Sequence, residues 1–115
     1  MKKVEYDQPT TQNLRILGMN YSLGFIPSEV DFDLHGSADG AICVGKQLLK
    51  INSSATRETQ RQALFHELVH ASDTELSYDS AGAMSEDQVA RVSRGLFEIL
   101  RDNPAIVAWM LAEDA

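Results

Sequence analysis

The chain of 115 residues carries a formal net charge of −7 and is 43% hydrophobic and 23% charged, the balance of one ordinary globular domain. Its acidic surplus argues against nucleic acid as the main partner, because phosphate recognition needs a basic face. The single cysteine, Cys43, allows no internal disulfide. No basic-then-apolar leader and no apolar run of transmembrane length occurs, so a cytoplasmic protein without a membrane partner is expected.

Residues 1–12 are polar and without period, which predicts a loosely ordered start. The apolar run Leu14 to Leu17, halted by Gly18, predicts a first strand. Asn20 to Ile26, ended by Pro27, predicts a second, with Tyr21, Leu23 and Phe25 on one face. Ser28 to Gly40 reads mainly as loop, although Val30, Phe32 and Leu34 alternate well enough to extend a strand. Ala41 to Val44 and Gln47 to Ile51 are apolar segments joined by Gly45-Lys46, the pattern of a hairpin. Within the first of them Cys43 reads as a small buried residue.

Asn52-Ser53-Ser54 then breaks the sheet, and a helix is expected from Thr56 as N-cap to about Asp73, with Glu58 in its first turn. Thr74 to Met84 reads as loop. Ser85-Glu86-Asp87-Gln88 has the form of a capping box, and Val89, Val92, Ser93, Leu96 and Leu100 recur behind it at helical spacing to about Arg101. Asn103-Pro104 ends that helix and starts another, in which Ile106, Val107, Trp109, Met110 and Leu111 form an apolar side expected to pack, Trp109 as core or interface. Strands first and helices afterwards predict an α+β fold, a small mostly antiparallel sheet followed by two long helices and a short one.

The first long helix carries the sequence Phe65-His66-Glu67-Leu68-Val69-His70-Ala71. At about 100° and 1.5 Å per residue, His66 and His70 lie one turn apart on nearly the same face, so both imidazoles can converge on one ion. Glu67 stands adjacent to that face, while Leu64, Leu68 and Ala71 fall on the far side. Two neutral imidazoles, an open position for water and a carboxylate to take that water's proton suit a catalytic zinc; this is the His-Glu-x-x-His pattern of metallopeptidases. Catalytic zinc usually takes a third protein ligand. Candidates are Asp73, Glu75, Asp79, Glu86 and Asp87 downstream and His35 upstream. Glu86 is preferred because Val89, Ser93 and Phe97, at +3, +7 and +11 from it, form the side that would pack on the first helix. Asp87 projects instead with Arg91 and Arg94, a solvated face. Glu75 would need the chain to turn back beyond the helix end. His35, in a loop, reads as a surface histidine; the alternative for it, and for Tyr78 in the later loop, is a donor to a developing oxyanion.

The strings Lys50-Ile51-Asn52 and Gln60 to Ala71, with Ser85 to Val89, Arg94-Gly95-Leu96 and Leu100 to Pro104, resemble small metallopeptidases encoded by phages and prophages. These have a minimal zincin core and are distantly like the ImmA/IrrE-type peptidases; the resemblance spans roughly Ala41 to Pro104. It implies a gluzincin-like ligand set, in which a glutamate on the following helix, here Glu86, completes the pair His66 and His70. It also implies a bacterial or phage-infected cell. The expected function is hydrolysis of a protein or peptide substrate with Glu67 as general base and Zn2+ as cofactor, the substrate held by edge pairing to the Gln47 to Ile51 strand or its hairpin partner. The alternative expectation is a zinc-stabilised protein-binding module without relevant hydrolysis.

Overall fold

A computed structural model describes residues 13–31, 34, 39–43, 45–77 and 83–113. The expectations for residues 1–12, Phe32, His35, Tyr78 and Asp79 lie outside them. The element order is β1 (Asn13–Ile16), β2 (Met19–Ile26), a 3-10 turn (Ser28–Val30), β3 (Gly40–Cys43), β4 (Leu48–Asn52), α1 (Arg57–Leu76), α2 (Glu86–Asp102) and α3 (Pro104–Leu111). The fold is α+β, as expected, with one four-stranded sheet in the order β1-β2-β4-β3.

The two outer pairings are antiparallel hairpins. In the first, Leu17 and Gly18 take positive φ of 50° and 86°, the mirror-image turn whose twist matches its strands. The second hairpin is the one expected across Gly45-Lys46, with Ile42 opposite Leu49. The central pairing of β2 with β4 is parallel, Leu23 opposite Leu49 and Phe25 opposite Ile51. It makes the sheet mixed and gives one face a continuous apolar row. That face buries Leu23, Leu49 and Ile51 against Ala63 of α1, with Phe25, Ile42, Leu64 and Leu68 packed around them. A second cluster joins Ile16 and Tyr21 to Ala71 one helix stretch further along.

Three expectations change. Val30 lies in the 3-10 turn and is exposed, so it extends no strand, whereas Leu34 is fully buried. Cys43 is exposed: it ends an edge strand, opposite Leu48, and so shares the sheet face that α1 does not cover. Trp109 is 78% exposed, and Ile106, Met110 and Leu111 are also more than half exposed. The eight residues of α3 touch the end of α2, and among the described residues their apolar side forms no core.

These burials predict opposite outcomes for two large-to-small changes. Leu49→Ala, at the crossing of both sheet halves and α1, should cost about 2–5 kcal/mol in urea unfolding. Trp109→Ala should stay within about 0.5 kcal/mol of the wild type, and the wild-type tryptophan should emit as a solvent-exposed indole.

Candidate metal centre

Helix α1 is seated from both ends. Thr56 caps it by accepting a hydrogen bond from the Thr59 N–H, as expected. Gln60, 3% exposed, donates its side-chain amide to the carbonyls of Ser53 and Ala55. Asn52 accepts from the N–H groups of Ser28 and Ser54, which ties the end of β4 to the turn that launches the helix. The helix runs beyond Asp73 to Leu76. Glu75 is therefore helical, and its carboxylate accepts from the Tyr21 hydroxyl at 3.1 Å. Burial and that neighbouring carboxylate hold the Tyr21 phenol above its ordinary pKa. Asp73 accepts from the Met84 N–H at 2.8 Å and so fixes the approach to α2. Both acids considered on this helix as third ligands are thus engaged elsewhere.

Helix α2 begins with the expected capping box, Ser85 and Gln88 exchanging side-chain-to-backbone hydrogen bonds. Its buried residues Val89 and Ser93 face α1, and Phe97 meets Phe65 with ring centroids 5.7 Å apart. Arg101 stacks 4.5 Å over Phe97 and grips Glu58 with two hydrogen bonds of 2.7 and 3.0 Å. The residue patterns that favoured Glu86 are the ones that set this packing. Glu86 reaches back from the first turn of α2, its Oε2 2.9 Å from His66 Nε2 and its Oε1 2.7 Å from His70 Nε2. The imidazole rings lie 4.9 Å apart, centre to centre. One ligand atom from each of the three residues falls within 4.8 Å of the others. Asp87 is exposed, as are Arg91 and Arg94.

The donor set suits a divalent cation of borderline softness, two imidazoles and one carboxylate with room for a further ligand. Tetrahedral bonds of about 2.0–2.1 Å would separate the donor atoms by roughly 3.4 Å. The contacts of 2.7 and 2.9 Å are shorter by several tenths, and the adjustment falls on Glu86, whose side chain is 70% exposed. Burial acts to raise the Glu86 pKa, but hydrogen bonds and charge from His70 and then His66 outweigh it and hold the carboxyl below its ordinary value.

Glu67 is not a solvated charge. It is 8% exposed, on the face of α1 that carries Gln60, Ala63 and Ala71 toward the sheet. Burial pushes its pKa above the ordinary carboxylate value, while the charges of His70 and His66 pull it back. Gly40 makes that burial possible. It occupies the helix-facing position of β3 opposite Ile51, and a Cβ there would stand 3.2 Å from Glu67 Cγ and 3.3 Å from Ile51 Cδ1. A cleft of about 390 Å³ opens beside it, lined by Asp39, Gly40, Gln62, His66, Glu67 and Glu86 among others.

Among the described strands β3 is an edge, whereas β4 lies inside the sheet, so of the two it is the hairpin partner that offers an edge for peptide pairing. The Asn52 N–H donates to the Asp39 carbonyl, so by antiparallel alternation Gly40 and Ile42 turn their N–H and C=O groups outward along the cleft. Sequence reasoning missed Gly40; a glycine opening an apolar strand was the available signal. Searches against protein-family models, curated proteins and solved structures returned no match to this chain.

Two outcomes follow. Because folding raises the Glu67 pKa, the ionised form disfavours the fold, an effect absent below the unfolded-state value and growing as pH rises through the folded one. Glu67→Gln should therefore raise the melting temperature of the metal-free protein at about pH 7 by a few degrees, with the gain vanishing near pH 4. Gly40→Ala should lower it at both pH values, since backbone and carboxylate must part by a few tenths of an ångström.

Proposed function

We propose that the chain is a zinc-dependent peptidase. The observation that carries this reading is the buried Glu67 carboxyl beside the group His66, His70 and Glu86. A binding module stabilised by zinc would use the same three donors, but it has no use for a fourth, desolvated carboxyl at the cleft wall. In this reading His66 and His70 hold the ion from consecutive turns of α1, and Glu86 closes the set from α2. A bound zinc supplies Lewis acidity and acidifies water.

The remaining work belongs to the chain. Glu67 takes the proton of the attacking water and hands it to the departing amine, and its raised proton affinity suits both transfers. The outward groups of Gly40 and Ile42 hold the substrate as an added strand, which presents a backbone carbonyl along the cleft. The substrate is accordingly an extended segment of a protein or peptide. An exposed thiol at Cys43 fits a reducing, cytoplasmic setting.

Purified protein supplied with zinc should contain one ion per chain by elemental analysis, and His66→Ala, His70→Ala and Glu86→Ala should each lower the occupancy. Against a fluorogenic peptide library, Glu67→Gln should cut turnover by about 10²–10⁴-fold with zinc content unchanged. Turnover by Glu67→Gln at the wild-type rate would remove the peptidase reading. Zinc binding without turnover by the wild type would leave the binding module.

A further inference from the structure

Behind His66, on the side away from Glu86, stands a group that the chemistry above does not use. Ser93 is 4% exposed, and its Oγ lies 3.4 Å from His66 Nδ1. The same hydroxyl points at the Ala90 carbonyl at 3.3 Å, the back-bond to the preceding turn that serine often makes inside a helix. A hydroxyl has one hydrogen and two lone pairs. With the hydrogen given to Ala90, the Ser93 oxygen faces His66 as an acceptor.

We propose that Ser93 is a positioning residue for the metal centre: its Oγ accepts the Nδ1–H of His66, so that Nε2, turned toward His70 and Glu86, is the nitrogen left to a cation once one replaces the hydrogen bond to Glu86. The inference rests on the reading of His66, His70 and Glu86 as a cation site. An imidazole that carries its only hydrogen on Nε2 gives it to Glu86 and cannot ligate through that nitrogen. A partner for the second nitrogen of a ligating histidine fixes both tautomer and ring orientation. Here that partner comes from α2, seven residues beyond Glu86 on the same face. One helix therefore supplies the third ligand and orients the first, so docking of α2 on α1 sets both at once. Arg94 and Gln62 line a space of about 180 Å³ next to Ser93 and His66, which leaves room for one additional methyl group.

The test compares wild type, Ser93→Ala and Ser93→Thr by two readouts, zinc affinity in a chelator competition and the imidazole N–H resonances of the zinc-loaded protein. Ser93→Ala should weaken zinc binding by roughly 10- to 100-fold and speed the exchange of the His66 Nδ1–H with water. Ser93→Thr, which keeps the hydroxyl, should restore affinity and the slow exchange. Equal zinc affinity and equal exchange in Ser93→Ala would overturn the inference while leaving the metal centre standing. Loss of affinity in Ser93→Thr equal to that in Ser93→Ala would also overturn it, by assigning the effect to packing. Failure of the wild type itself to take up zinc would remove the centre and the inference together.

Discussion

The closeness of α1 to the sheet is the constraint on which the rest of the molecule depends. The helix turns its small residues Ala63 and Ala71 inward, four positions either side of Glu67, over a strand position occupied by Gly40. Side chains of ordinary size at these places would lift the helix away and let water reach the carboxyl. With the helix down, Glu67 is desolvated and His66 and His70 are rotated off the sheet toward α2. The same seating aligns the edge of β3 with the row of polar groups, so the cleft, its buried carboxyl and the group His66, His70 and Glu86 follow from a single packing contact.

A second helix must then arrive in register. The capping box at Ser85, the tether from Asp73 to the Met84 N–H, and the Phe65–Phe97 and Arg101–Glu58 contacts locate α2 at both ends. Exposed pairs such as Arg101–Glu58 contribute little to stability on their own. Their importance lies in orientation, since Glu86 sits at the first residue of the helix, where a small change in the angle of α2 would move the carboxylate most.

Much of this was legible in the sequence because it is local. Turn chemistry marks the second hairpin, Thr56 and Ser85 mark two helix starts, Pro104 marks a third, and the spacing from Glu86 through Val89, Ser93 and Phe97 points at the partner helix. What escaped depends on pairings far apart in the chain. The parallel match of β2 to β4 leaves no local signature, and it alone decides that β3 becomes an edge. Once β3 is an edge, Cys43 is exposed despite its apolar neighbours. Trp109 misled for a similar reason: an apolar helix announces that it can be buried, but not that anything covers it. The extension of α1 to Leu76, which takes Glu75 to Tyr21, needed a hydrogen-bond partner 54 residues away.

The edge that β3 forms among the described strands has a further consequence, one of colloidal behaviour. Residues Gly40 to Cys43 bear no charge and no proline, the usual guards by which natural sheets stop their edges from adding to one another. Such an edge can pair with the same strand of another molecule. Here the guard is global: a net charge of −7 makes every encounter between two copies a meeting of like charges. The acidity that says little about the chemistry of the cleft thus works against the pairing of two copies along this edge. Its reach is that of screened electrostatics, about 10 Å at 0.1 M salt.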